Sequence, residues 1–327
     1  MRNVLVTGAT GFLGSNLAAA LKELGHNVRI LRRPTSSLQA LDGIDVEHHL
    51  GDVRDRDSVR RAIRGCDTVF HVAALVSYWR KQRAELYEIN IGGTANVVDV
   101  CLELGVEKLV HTSSVAAVGF AGDRIPADEA TAFNWESYAI GYRNSKHRAE
   151  LEVQRGVKLG LPAVIVNPSV ILGERDIHFN GGQIVRDVYK KRIFYAIDGG
   201  ISVVYVGDVV RGHIAAASMG RIGERYILSG ENLTHSQIIT QTAEVVGGWK
   251  PLLKLPLWAA KGLAAGSEVI ANATNTKPWL GSELIAGITR TCWFSHEKAA
   301  RELGYTITPF RTAVKRTFDW YRQQSMI

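Results

Sequence analysis

Cysteine is scarce in this sequence: Cys66, Cys101 and Cys292 are the only three in 327 residues, and no CxxC pair occurs. An odd, scattered set builds neither a disulfide framework nor a zinc site, so no metal is expected and a reducing, cytoplasmic setting fits. Also missing is any apolar run long and uncharged enough to span a bilayer. The most apolar late stretch, Leu252 to Ala273, is interrupted by Lys254, Lys261 and Glu268, so stable membrane insertion is not expected. A core helix is the expectation there, with contact to a membrane surface as the alternative. Lys and Arg are scattered rather than striped among aromatics, which speaks against a nucleic-acid partner. Met1-Arg2-Asn3 leads straight into a strand, so no signal peptide is expected. Repeats and low-complexity segments are absent as well.

What is present is an ordinary globular composition, 46% apolar and 22% charged, with a net charge of +7. The length exceeds the roughly 100–200 residues of one domain and predicts a large domain with a smaller one. The positive balance favours anionic ligands, phosphorylated cofactors among them. Short β-branched runs (Asn3–Thr7, Asn27–Leu31, Val46–His49, Thr68–Val72, Lys108–Thr112, Ala163–Asn167) alternate with helical patterns near Phe12–Leu24, Ser58–Arg64, Ala84–Leu104 and Tyr138–Leu159. Such alternation reads as stacked βαβ units, and nearly all-apolar runs belong to a parallel sheet covered on both faces. The fold class is therefore α/β, a Rossmann-type doubly wound parallel sheet. After Pro168 the alternation breaks down. Val203–Val206 and Arg225–Leu228 read as strands, and Gly207–Met219, Ser236–Val246 and Thr312–Gln323 as helices. We read residues 1–170 as a dinucleotide-binding domain to which some later segments return. Residues 171–327 then form a partly interleaved substrate-binding domain over the carboxyl ends of the strands.

Thr7-Gly8-Ala9-Thr10-Gly11-Phe12-Leu13-Gly14 follows the first strand and opens a helix. Glycines there permit a tight turn, close approach of a pyrophosphate and close helix–strand packing, while the exposed helix-start N–H groups face the anion. The spacing is GxxGxxG, a variant of the commoner GxGxxG. Gly8, Thr10, Gly11, Phe12, Leu13 and Gly14 are thus candidate cofactor contacts.

A further absence bears on which dinucleotide. An NAD-selective site places an acid about 20 residues beyond the glycines to accept from the ribose 2′-hydroxyl. Here the second strand ends in Arg32-Arg33-Pro34-Thr35-Ser36, with no acid. Guanidinium forks suit a 2′-phosphate, so NADP(H) is favoured over NAD; two solvated arginines are the bland alternative. Asp52 and Val53, after the third strand, could meet the adenine, although an Asp at a turn is equally expected as a helix cap. The small Ala73 and Ala74 after the fourth strand would let the cofactor lie close.

Tyr142 and Lys146 stand four apart on one helix, where a phenol and an ammonium can approach. A free phenol titrates near 10, and a cation nearby lowers that value. Tyr142 could then exchange a proton with a carbonyl or alcohol oxygen, and Lys146 could also hold the nicotinamide ribose. The Thr112-Ser113-Ser114 run at the end of the fifth strand offers a hydroxyl to orient the same oxygen.

In this order, Gly8/Gly11/Gly14, Thr112-Ser113-Ser114 and Tyr142…Lys146 resemble the extended short-chain dehydrogenase/reductases. The resemblance spans the chain, including Asn167-Pro168-Ser169 and Val206-Gly207-Asp208-Val209. It implies a catalytic set of Ser114, Tyr142 and Lys146, with Asn90 near the cofactor and Pro168-Ser169 as the loop beside the nicotinamide. In that family the helix pair Ala84–Leu104 and Tyr138–Leu159 often makes a four-helix dimer seam, which leaves a homodimer open alongside a monomer. Dehydratases of the family carry an Asp-Glu pair after the hydroxyl, where this chain has Val115-Ala116. Epimerases carry an Arg before the late strand, where this chain has Ile201-Ser202-Val203. What remains resembles the dihydroflavonol-reductase-like branch and implies an NADPH-dependent reductase of a small-molecule ketone or aldehyde. A sugar epimerase is the alternative and a non-catalytic NADP sensor a third reading. The pocket is expected to draw on Val76-Ser77-Tyr78-Trp79, Trp135, Asn167, Ile177-His178-Phe179 and Phe194-Tyr195, a mostly apolar set that suits a hydrophobic or ring-bearing substrate.

Overall fold

The fold was analysed in a computed structural model that describes residues 1–193, 195–278 and 280–327. The first half runs β1 (Asn3–Thr7), α1 (Phe12–Glu23), β2 (Asn27–Arg32), β3 (Glu47–Leu50), α2 (Arg56–Ile63), β4 (Thr68–His71), α3 (Arg83–Tyr87), α4 (Gly93–Leu104), β5 (Lys108–Thr112), α5 (Gly141–Lys158) and β6 (Ala163–Pro168). The second half runs β7 (Val170–Leu172), α6 (Gln183–Tyr189), β8 (Tyr195–Ala196), β9 (Gly200–Tyr205), α7 (Val206–Met219), β10 (Arg225–Leu228), β11 (Glu231–Thr234) and α8 (His235–Val246). It closes with β12 (Leu253–Lys254), α9 (Leu257–Thr274), α10 (Ser282–Ile288), β13 (Thr291–Cys292), α11 (Glu297–Leu303) and α12 (Phe310–Gln323).

Seven strands form one sheet in the order β10-β6-β5-β4-β1-β2-β3, every pairing parallel. Alternate side chains leave opposite faces of a strand, and the two cores divide accordingly. Val4, Val6, Phe70, Val110 and Val164 pack with α1 and α7 on one face. Leu5, Val69, Leu109 and Ile165 pack with α2, α4 and α5 on the other. This is the doubly wound architecture the alternating pattern predicts. The order reverses between β1 and β4, and such a switch point opens a crevice at the carboxyl ends of the strands.

β10 comes from the second half of the chain, so a cut at residue 170 would remove an edge strand from the central sheet. β11, β9 and β13, with β7 beside β9, form a smaller sheet of their own. Two local expectations are corrected. The pattern over Ala84–Leu104 is not one regular helix: a π-helical turn, Glu88–Gly92, separates α3 from α4. The apolar stretch near Leu252–Ala273 does form a helix, α9, yet it buries only Ala260, Ala264, Ser267 and Ala271. Its small residues give it a narrow contact stripe instead of a place in the core. Among the described residues no helix is long and apolar enough to cross a membrane.

Candidate active site

The glycine turn lies at the switch point and is built around contacts that exclude side chains. Gly8 has φ +70, and a Cβ there would come within 2.7 Å of the Ala73 backbone. A Cβ on Gly14 would fall 2.2 Å from the Gly8 carbonyl oxygen, so α1 packs on the turn as closely as backbone allows. Thr7 Oγ1 accepts from the amides of Val72 and Ala73, both at 3.2 Å, fastening the β1 turn to the β4 turn. No side chain caps the start of α1, and its first amides remain available to an anion. Phe12 and Leu13 are buried, Thr10 and Ala73 partly so, and Ala74 is exposed. This cradle, which a Cβ would fill, fits a dinucleotide pyrophosphate.

At the end of β2, Arg32 Nε donates to His48 Nδ1 at 2.8 Å. Arg33 is exposed, and its guanidinium has no hydrogen bond or ion pair among the described residues. Asp52 is already engaged: Arg54 donates to both its oxygens, at 3.1 and 2.8 Å, and holds its carboxyl below the usual range. Val53 is buried against Gly93, where a Cβ would approach it to 2.7 Å. The residues that remain free to meet an anion here are therefore the arginines.

Lys146 is 3% exposed, and its Nζ donates to the Thr112 carbonyl at 2.8 Å, at the end of β5. Burial pushes this ammonium down to about 8, with Glu150 opposing the shift. Ser114 follows β5; its hydroxyl accepts from the Ala116 amide at 3.1 Å and lies beside Tyr142. Ser114, Tyr142 and Lys146 thus converge at the carboxyl end of β5, two strands from the glycine turn of β1. The expectation that Lys146 lowers the Tyr142 phenol is not met here. Burial first, then Tyr78, push the phenol up, and only the Ser114 hydroxyl and Arg143 pull it down. With Lys146 turned to a backbone carbonyl, burial keeps the Tyr142 phenol protonated.

Buried polar residues position this corner, among them Asn90 and Asn167, which the sequence singled out for other roles, and His71, Glu150 and Glu283, which it did not. Asn90, on the π-helical turn, accepts from the Leu75 amide at 2.8 Å and donates to the Leu75 carbonyl and to Ser145 Oγ, both at 2.9 Å. Its side chain is consumed in holding the 75–79 loop and α5, which makes it a positioning residue near the cofactor site. A buried chain runs from Thr7 Oγ1 through His71 to Thr94 Oγ1 (2.8 and 3.1 Å) and on to the Asn90 carbonyl. Burial drives His71 down to about 3 and keeps it neutral. Asn167, expected in the pocket wall, is fully buried instead; it donates to the Ser114 carbonyl at 2.9 Å and to Glu150 at 2.6 Å. Glu150 also pairs with Arg225 at 2.8 Å. Glu283, only 4% exposed on α10, accepts from the Gly141 amide at 2.9 Å and pairs with Arg83. It supplies the cap that Ile140 at the start of α5 cannot. A residue 142 positions away thereby fixes the backbone next to Tyr142.

Of the other expected pocket residues, Tyr78 touches Tyr142 ring edge to ring face, with centroids 5.7 Å apart. Trp135 is fully buried, its Nε1 donating to the Val118 carbonyl at 3.2 Å, and is core. Phe179 packs on Tyr321 at 4.7 Å. Pro168 ends β6, and the buried Ser169 hydroxyl has no partner among the described residues, as suits a group awaiting a ligand. Phe194 lies outside the described residues. A cavity of about 950 Å³ lined by Asp128, Glu129, Phe133, His147, Arg225 and Lys298 touches none of Ser114, Tyr142 and Lys146, so its size gives it no claim on the chemistry.

Comparisons with known proteins bear on the family and the fold. The model of the NAD dependent epimerase/dehydratase family matches residues 4–229. A putative dihydroflavonol 4-reductase of Synechocystis is 32% identical, over 98% of this chain and 95% of that protein. Sterol demethylase protein B of Methylococcus capsulatus is 33% identical, over 99% of each. The crystal structure of gox2253 superposes with a TM-score of 0.88 at 37% identity, covering 100% of both chains.

Two outcomes follow from the electrostatics. Glu283→Ala leaves the Gly141 amide uncapped and removes the partner of the partly exposed Arg83, and unfolding in urea should show a loss of about 1–3 kcal/mol; a loss under about 0.5 kcal/mol would deny it the capping role. In the cofactor-free protein Lys146 titrates near 8 against 10.5 unfolded, so the unfolded chain holds this proton more tightly. Stability should therefore rise as pH climbs from about 8 to 10.5, and Lys146→Met should abolish that rise. Parallel pH curves for the two proteins would contradict it.

Proposed function

The chain belongs to the NAD dependent epimerase/dehydratase family, and from that premise we propose that it is an NADP(H)-dependent reductase of a ketone or aldehyde on a hydrophobic, ring-bearing molecule. The observation that carries this reading is the convergence of Ser114, Tyr142 and Lys146 at the end of β5, with the phenol kept protonated by burial. Gly8, Gly11 and Gly14 would hold the pyrophosphate, Arg32 and Arg33 the 2′-phosphate, and Lys146 the nicotinamide ribose. Bound there, the cofactor supplies the hydride.

The protein's own residues handle the oxygen. Ser114 donates a hydrogen bond to the substrate carbonyl and orients it. Tyr142 gives that oxygen its proton as negative charge builds, and the nearby ammonium of Lys146 stabilises the phenolate left behind. For this purpose Lys146 turns from the Thr112 carbonyl toward the bound ligand, and it stays charged at neutral pH because burial lowers it only to about 8. Tyr78 over Tyr142 supplies an aromatic wall. The relatives named for a dihydroflavonol and a sterol point to apolar ring systems.

The epimerase reading has the family's name in its favour. Against it, the segment where epimerases carry a diphosphate-gripping Arg holds Ser202, whose hydroxyl is used internally by Asn232 and the Phe294 amide. That place offers no cation to a nucleotide sugar.

A screen of NADPH oxidation with aldehydes, flavonoid-like ketones, steroids and nucleotide sugars should show turnover on an apolar carbonyl compound. Interconversion of sugar nucleotides without net NADPH consumption would decide for epimerisation. Tyr142→Phe should lower kcat at least about a hundredfold while leaving the NADPH Kd within about twofold; near-normal turnover removes Tyr142 from the chemistry. Arg32→Ala with Arg33→Ala should weaken NADPH about tenfold more than NADH, the scale of lost charge-assisted hydrogen bonds. An equal effect on both would place recognition of the 2′-phosphate elsewhere.

A further inference from the structure

Helix α9 buries one small-residue stripe and turns its apolar side chains outward. Trp258 is 78% exposed, Val269 68%, Ile270 61%, and Leu257 and Leu263 44% each. The segment leading into it adds Leu252 at 79% and Trp249 at 49%. Soluble monomers rarely display so continuous an apolar face unless something covers it.

The charges around the face identify the cover. Lys250 and Lys254 beside it are paired with Glu244 at 2.7 Å and Asp198 at 3.1 Å, whereas Lys261 and Lys277, both exposed, have no ion pair among the described residues. Glu268 is turned inward, where its Oε1 accepts from the Ser282 amide and hydroxyl, both at 2.7 Å. Lys261 sits among the exposed apolar residues with no ion pair among the described residues. A second copy of the chain would set this lysine-bordered face against like charges. An anionic bilayer surface matches both properties: aliphatic side chains enter the acyl boundary, tryptophans settle at the headgroup level, and lysines meet lipid phosphates.

We propose that α9 docks the protein onto the surface of an anionic membrane without spanning it. The helix is also joined to the reaction centre. The Leu280 amide donates to Ser267 at 3.2 Å, and Lys81 in the loop after Tyr78 donates to Asn275 at 3.1 Å. Tyr78 itself touches Tyr142, and α10, next in the chain, carries Glu283, the cap of α5. α9 therefore adjoins the loop that walls the reaction centre, and in the docked protein a bilayer-dissolved substrate would be supplied close to it. The docking stands on the exposed face alone; only this route of supply rests on the reductase reading.

The test is flotation of the full chain with vesicles of phosphatidylcholine alone or mixed with phosphatidylglycerol, at low salt. Binding should require phosphatidylglycerol and be accompanied by quenching of tryptophan fluorescence by brominated acyl chains. Trp258→Ser with Ile270→Ser should weaken binding at least about tenfold through lost apolar burial. Lys261→Ala should weaken it about fivefold, the worth of one basic residue at such a surface. Wild-type protein that floats with neither vesicle, or floats without quenching, overturns the proposal. So does a solution dimer that binds no vesicles and falls apart on Trp258→Ser with Ile270→Ser. NADPH turnover on a water-soluble carbonyl compound, measured without vesicles, reports on the reductase reading separately.

Discussion

The buried hydrogen bond from the Lys146 ammonium to the Thr112 carbonyl is the interaction on which the rest of the site depends. It fastens the inner face of α5 to the end of β5, so that phenol, hydroxyl and ammonium share one corner of the sheet. Burying an ammonium is costly unless its donors find partners and a counter-charge lies near. Here the carbonyl accepts and Glu150, one helical turn further on, opposes the loss of charge. The result is a buried ammonium that titrates near 8 instead of its usual 10.5.

Around that bond, α5 is positioned by parts of the chain that are remote in sequence. Glu283 caps its first turn, Asn90 reaches it through Ser145, and Asn167 ties Glu150 back to the Ser114 carbonyl. Each of these polar side chains is buried and makes its hydrogen bonds inside the protein, although Asn167 Oδ1 has no partner among the described residues, and in a low dielectric such bonds make stiff supports. The π-helical turn is what makes Asn90 available: the extra residue in the turn releases backbone groups and lets one side chain serve both the 75–79 loop and α5. A site that must hold an oxygen and a hydride donor in register gains from such redundancy.

The outer surface follows a different logic. α9 meets the body through alanines and a serine, and so has little apolar area turned inward. Its large side chains face out, bordered by lysines. The loop that supplies Tyr78 to the reaction centre is joined to the end of this helix through Lys81 and Asn275.

Much of this protein is determined by the sequence alone, because the signals are local. β-branched runs alternating with amphipathic helices specify a parallel doubly wound sheet. Glycine at 8, 11 and 14 specifies a turn where backbones touch, and Tyr142 and Lys146 lie one helical turn apart whatever surrounds them. Glu150 follows Lys146 by the same interval, but nothing local says that it is buried or that it serves the ammonium. Only the tertiary structure decided that Lys146 turns to Thr112 and leaves the Tyr142 phenol protonated, since the direction of a side chain depends on the partner the fold brings near. The cap from Glu283, the withdrawal of Asn167 and Trp135 into the interior and the outward face of α9 were decided there too. Each depends on which distant segment arrives beside it, and hydrophobic periodicity within one segment carries no information about that arrival.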